Sequence, residues 1–205
     1  MPHITPVDAE KFQLYKTIES KSDLEVGFRM RQCDTISVPQ TTNFTWRLGV
    51  KSSSEKPRYI FVGFQTNKDG DQEQNPALFD HAGVKNIHAT LGATRYPAVD
   101  YNASFTKMQY SRLYGDVVAF KAKYYNTDEL VSNPGINPSD YKSLFTLFFI
   151  DVSKQSERLK SGVIDIQIKA QFDANVPANT QAFAVVISDR ILKFQSDGSK
   201  MSVVY

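Results

Sequence analysis

PRYIFVGFQTNKDGDQEQNPALFDHAGVKNIHATLGATRYP, residues Pro57 to Pro97, places an apolar run, a polar loop and a second apolar run one after another. Tyr59, Ile60, Phe61, Val62 and Phe64 form a short β-branched and aromatic run bounded by Pro57 and the loop, too short for a typical helix. The run predicts a strand buried on both faces. Val84 to Leu91 alternates instead, with Ile87, Ala89 and Leu91 on one side and Lys85, His88 and Thr90 mostly on the other, so one face looks inward.

The same period of two recurs on either side. Towards the N-terminus, Phe44, Trp46, Leu48 and Val50 predict inward positions of one strand. Val26, Phe28 and Met30, between Glu25, Arg29 and Arg31, predict another that is half exposed. Before it, Thr5 as N-cap, Pro6 at the first helical position and Asp8 predict a helix running to about Ser20. Its Phe12, Leu14, Tyr15 and Ile18 make an apolar stripe that needs a surface to lie on.

Towards the C-terminus, Tyr96 to Phe105 reads as a short strand and Lys107 to Lys121 as a helix weakened by Gly115. A helical turn after Pro138 and an apolar strand over 144–152 follow. Ile164, Ile166, Ile168, Ala170 and Phe172 alternate almost without fault, and 182–194 is one bent strand or two. Asp197-Gly198 signals a hairpin before the final Val203-Val204-Tyr205. Strands do not alternate with helices, which excludes a parallel α/β sheet. The fold class is all-β: an antiparallel, eight-stranded jelly-roll sandwich with an N-terminal helix and short helical insertions. The expected division is a helical arm over 1–22 and a single jelly-roll domain over 23–205.

Composition narrows the function classes. Twenty-four basic and 22 acidic side chains leave a net charge of +2 without charge blocks, so nucleic acid is not signalled as a partner. No apolar run is long enough to span a bilayer, so no membrane partner is expected. A single cysteine, Cys33, excludes an intramolecular disulfide and a Cys-rich zinc site, and reads as a structural thiol. No signal-peptide pattern opens the sequence, which gives an intracellular expectation, cytoplasmic or nuclear.

Candidate chemistry is sparse. Asp80 beside His81 is an acid that can orient an imidazole, but no further ligand or nucleophile stands at a fixed spacing, so capping a loop is the better reading. Asp69, Asp71 and Glu73 offer oxygen ligands to calcium without the twelve-residue loop pattern, and read as a solvated turn. No catalytic, cofactor-binding or metal residue is assigned, and no cofactor is called for.

The order of certain short motifs is more specific. Phe64-Gln65-Thr66-Asn67, Leu78-Phe79-Asp80-His81, Asn86-Ile87, Tyr96-Pro97, Ile150-Asp151, Ser153, Gln155, Lys160-Ser161-Gly162, Pro177-Ala178-Asn179-Thr180 and Asp189-Arg190 cover about two thirds of the chain. In that order they resemble the double jelly-roll-like domain family, related to major capsid proteins of Polinton/Maverick-type elements and their viral relatives. The length suits one sandwich, so the resemblance is to the C-terminal jelly roll. Asn126 stands where the family usually has a more tyrosine-rich turn.

The resemblance implies a structural, non-enzymatic subunit that packs side by side into a shell, commonly as trimers, located in a virion or virus-like particle. Its implied partners are copies of itself and other capsid proteins. Phe12, Leu14, Tyr15 and Ile18 are the candidate subunit contact, because a lone sandwich need not cover that stripe. The alternative is a single β-sandwich binding module for a glycan or protein ligand, derived from a capsid protein.

Overall fold

The structure is a computed structural model that describes residues 5–49, 56–125, 135–155, 165–196 and 201–204. The expectations for Val50, the Asn126 turn, Lys160-Ser161-Gly162, Ile164 and the Asp197-Gly198 hairpin fall outside these residues.

The element order is α1 (Asp8–Glu19), β1 (Leu24–Ser37), β2 (Asn43–Arg47), β3 (Lys56–Thr66), β4 (Val84–Leu91), β5 (Thr94–Tyr96), α2 (Ser111–Tyr125), α3 (Pro138–Ser143), β6 (Leu147–Asp151), β7 (Ile166–Phe172), β8 (Thr180–Ser196) and β9 (Met201–Val204). One sheet runs β1-β8-β3-β6, with β9 added to β8, and the other runs β2-β7-β4-β5. The first strand therefore lies beside the eighth, the second beside the seventh, the third beside the sixth and the fourth beside the fifth. That order arises when a chain is doubled at its middle and the double ribbon is rolled into two sheets, which is the jelly roll. Among the described residues the sequence expectation of eight jelly-roll strands is met, and β9 is a ninth.

The chain forms two compact units, Met1–Met30 with Asp189–Tyr205, and Arg31–Ser188. The second unit holds the core. Ile60, Val62 and Phe64 of β3, Phe148 and Ile150 of β6, Phe44 and Trp46 of β2, and Ile166 and Ile168 of β7 are all buried. Register sets them in apolar pairs, with Ile60 opposite Ile150 and Trp46 opposite Ile168. Rings of Phe148 and Phe172 meet Phe64 edge-on at 5.8 and 5.5 Å.

The double burial of β3 has a specific cause. Its outward residues Tyr59 and Phe61 pack with Phe149 beneath Phe120 and Tyr124 of α2, and Phe61 meets Phe120 at 4.7 Å with the rings perpendicular. The helix thus covers an aromatic sheet face that water would otherwise meet. On β4 the ladder slips between Val84 and Asn86; Lys85, His88 and Thr90 are half exposed, as the alternation predicted, while Asn86 is buried and donates to Gln171 at 3.1 Å.

Several local expectations change. Val7, not Thr5, sits at the N-cap of α1, with no side-chain hydrogen bond. The strand expected over Tyr96 to Phe105 does not continue beyond Tyr96, although Ala103 and Phe105 are buried. α2 begins at Ser111 rather than Lys107, because a Ser104–Gln109 bridge and the positive φ of Met108 (59°) interrupt the helical path. The stretch 182–194 lies in one continuous strand, β8. Cys33 is exposed on β1 rather than a buried structural thiol. No residue of β1 is buried, so its apolar positions are less covered than half-exposure implies.

Candidate assembly surface

α1 is amphipathic only weakly. It carries Asp8 and Glu10 in its first turn and Lys16 in its last, which complement the helix dipole. Lys11 bridges to Asp8 at 3.0 Å, and the Lys16 ammonium lies 4.8 Å from the centre of the Phe12 ring. No residue of the helix is buried. Phe12 and Tyr15 are each 61% exposed and Leu14 is 44% exposed, while Ile18 is half-buried. The four predicted contact residues therefore share one short helix, three of them in water.

The strand part of the same unit repeats this exposure. Val26 and Phe28 on β1, Ile191 on β8 and Val203 on β9 are exposed. Polar cross-links hold these strand ends together: Lys193 meets Glu25 at 2.8 Å, Arg29 lies 3.7 Å from Asp189, and Gln195 donates to Asp23 at 2.9 Å. The Glu25 carboxylate, by its hydrogen bond and its charge, raises the Lys193 pKa. From the sequence, Val26, Phe28 and Val203 are strand positions and Ile191 is part of 182–194, and none of them is named as a contact residue. Their signal was the alternation itself, which assigns side chains to a face without saying what that face meets.

The other candidates resolve as structural parts of the unit Arg31–Ser188. Asp80 accepts a hydrogen bond from the Thr66 amide at 2.8 Å and pairs at 3.0 Å with Lys68, whose side chain is 8% exposed. His81 accepts from the Gly83 amide through Nδ1 at 2.9 Å and stacks on Phe105 at 4.5 Å. Burial, with help from Lys142, lowers the His81 pKa. Both side chains therefore tie down the loop before β4, as the capping reading expected.

Asp69 and Asp71 line a cleft of about 540 Å³ with Asn67, Asn179 and Gln181. Asp69 accepts from Gln181 at 2.7 Å, and Asp71 accepts from the Glu73 amide at 2.9 Å, closing a turn. Among the described residues, no three His, Cys, Asp or Glu side chains gather as a metal site would require. None of the helices described is long and apolar enough to cross a membrane.

The family model for a double jelly roll-like domain matches residues 1–192. A crystal structure of the mavirus major capsid protein aligns with a TM-score of 0.46 and 10% identity, covering 89% of this chain and 41% of that one. A 3.5 Å cryo-EM structure of the Sputnik virophage aligns with a TM-score of 0.42 and 12% identity, covering 88% of this chain and 38% of that one. The chain thus spans about two fifths of the length of these structures. No curated protein matches.

Proposed function

The chain belongs to the double jelly roll-like domain family, and on that premise we propose that it is a capsid-like structural subunit that assembles with copies of itself. The observation that carries the reading is the apolar surface of the unit Met1–Met30 with Asp189–Tyr205, where Phe12, Leu14, Tyr15, Val26 and Phe28 are exposed. Large apolar side chains gathered in one small unit are a liability for a lone molecule and an asset for one that packs against others. The jelly roll supplies a rigid body for such packing.

In this reading Phe12, Leu14, Tyr15 and Ile18 form a contact between subunits, the assembly is a trimer or larger, and its place is a virion or virus-like particle. Other capsid proteins of the same shell are further partners. The role is mechanical rather than catalytic. Asp80 and His81, the pair that most resembled catalytic machinery, support this by being engaged with Lys68, the backbone of Thr66 and Gly83, and the Phe105 ring.

Electron microscopy of the purified chain tests the proposal. Rings, trimers or closed particles are the expected result. Single molecules at every concentration and salt condition would remove it.

A further inference from the structure

We propose that the outer edge of β1 pairs, antiparallel, with β1 of a second copy about a two-fold axis at Gly27; this rests on the assembly reading above and names one of its contacts. Among the described residues, β1 stands at the end of the order β1-β8-β3-β6, with β8 as its neighbour in the sheet. It is 14 residues long and none of them is buried. Its outer edge presents a row of backbone N–H and C=O groups of the kind that templates another strand.

The occupant is specified by the sequence of the strand and of the residue that precedes it. Asp23-Leu24-Glu25-Val26-Gly27-Phe28-Arg29-Met30-Arg31 is acidic before Gly27 and basic after it, with apolar residues at alternate places throughout. Setting Gly27 opposite Gly27 in an antiparallel pair places Glu25 opposite Arg29 and Asp23 opposite Arg31. On the other face the same register places Val26 opposite Phe28 and Leu24 opposite Met30. Every charge then meets its opposite and every apolar residue meets another, twice over because the contact is isologous. Moving the axis by one residue position to Val26 or Phe28 retains a single kind of acid–base pair, and an axis between residues sets charged side chains against apolar ones.

Two observations extend this register. Lys193 pairs with Glu25 at 2.8 Å, and Asp189 lies 3.7 Å from Arg29. Across the joined sheets the charged face would read Lys193 and Glu25 of one copy, then Arg29 and Asp189 of the other, alternating in sign over four strands. Arg31 also donates to the Tyr124 hydroxyl at 3.1 Å, so its charge is shared. Gly27, at the axis, has nothing within 4 Å of where a Cβ would stand. A glycine inside a strand commonly marks close approach of another backbone.

The test uses the full chain with Cys33→Ser, which removes the exposed native thiol. One variant carries Arg29→Glu with Arg31→Glu, a second carries Asp23→Arg with Glu25→Arg, and each then faces like charge across the axis. Sedimentation velocity is expected to show self-association weakened at least about tenfold in Kd for each alone, with recovery when the two are mixed in equal amounts. Mixing repairs only pairs between copies, so recovery separates them from the contacts with Lys193 and Asp189 inside each chain.

Independently of the charge variants, Gly27→Cys should form a disulfide-linked dimer on mild oxidation. Val26→Cys should not, because Val26 faces Phe28 and the two Val26 positions lie on a diagonal beyond disulfide reach. Self-association that is indifferent to the charge reversals, or equal cross-linking at residues 26 and 27, would overturn the edge pairing and leave assembly by another surface standing. An unmutated chain that stays monomeric at every concentration would overturn both.

Discussion

In the unit Arg31–Ser188, Ile60, Val62 and Phe64 alternate along β3 and are each 0% exposed; in the other unit, Val26 and Phe28 alternate in the same way and are 49% and 40% exposed. The pattern is the same and the medium is not. Alternation decides which side chains share a face, whereas burial depends on whether another layer lies over that face. For β3 the layers are the facing sheet and α2. For the apolar face of the β1 segment in the smaller unit, the assembly reading supplies the layer from other molecules.

Removing the same side chain from each unit should give the largest difference between them. Phe148→Ala should lower the free energy of unfolding by about 3–5 kcal/mol, since it empties a fully buried position beside Phe64. Phe28→Ala should change it by no more than about 0.5 kcal/mol at concentrations where the chain is monomeric. Urea titration of both variants checks the pair, and equal losses would break the contrast.

A smaller effect is expected at the glycines. A Cβ on Gly63 would stand 2.5 Å from the Phe79 ring, so Gly63→Ala should cost about 1–3 kcal/mol through overpacking. Gly27→Ala meets open space and should leave the melting temperature of the monomer unchanged.

The smallest effect is one of pH. Burial lowers the His81 and His88 pKa values below 6.5, and among the described residues both histidines lie in the unit Arg31–Ser188. Below about pH 6.5 the unfolded chain takes up protons that the folded one resists, so stability rises with pH through this window. The contribution is complete above 6.5 and is lost as pH falls through the lowered folded values. His81→Gln should flatten the slope of stability between pH 7 and 5, because protonation would cost the acceptor that holds the Gly83 amide. An unchanged slope would assign the effect elsewhere.

Much of the sandwich was legible because its strands carry their instructions locally. Ile166, Ile168, Ala170 and Phe172 are buried in the order their alternation required, and β3 is buried on both faces as its continuous run required. Boundaries were less legible where backbone geometry intervened. The positive φ of Met108 delays α2, and the slip between Val84 and Asn86 interrupts the pairing of β4 with β7 at Lys85. The N-terminal helix was legible, and Phe12, Leu14, Tyr15 and Ile18 all lie on it. The exposure of Val26, Phe28, Ile191 and Val203 was not, because exposure belongs to the tertiary arrangement and not to the period.

The assembly reading is tested most directly by sedimentation velocity of the full chain beside a variant in which Phe12, Leu14, Tyr15 and Ile18 are all changed to Ser. The account predicts that the unmutated chain sediments as trimers or larger species, and that the variant sediments as smaller species with the same melting temperature. A monomeric unmutated chain, or a variant that assembles equally well, would contradict it.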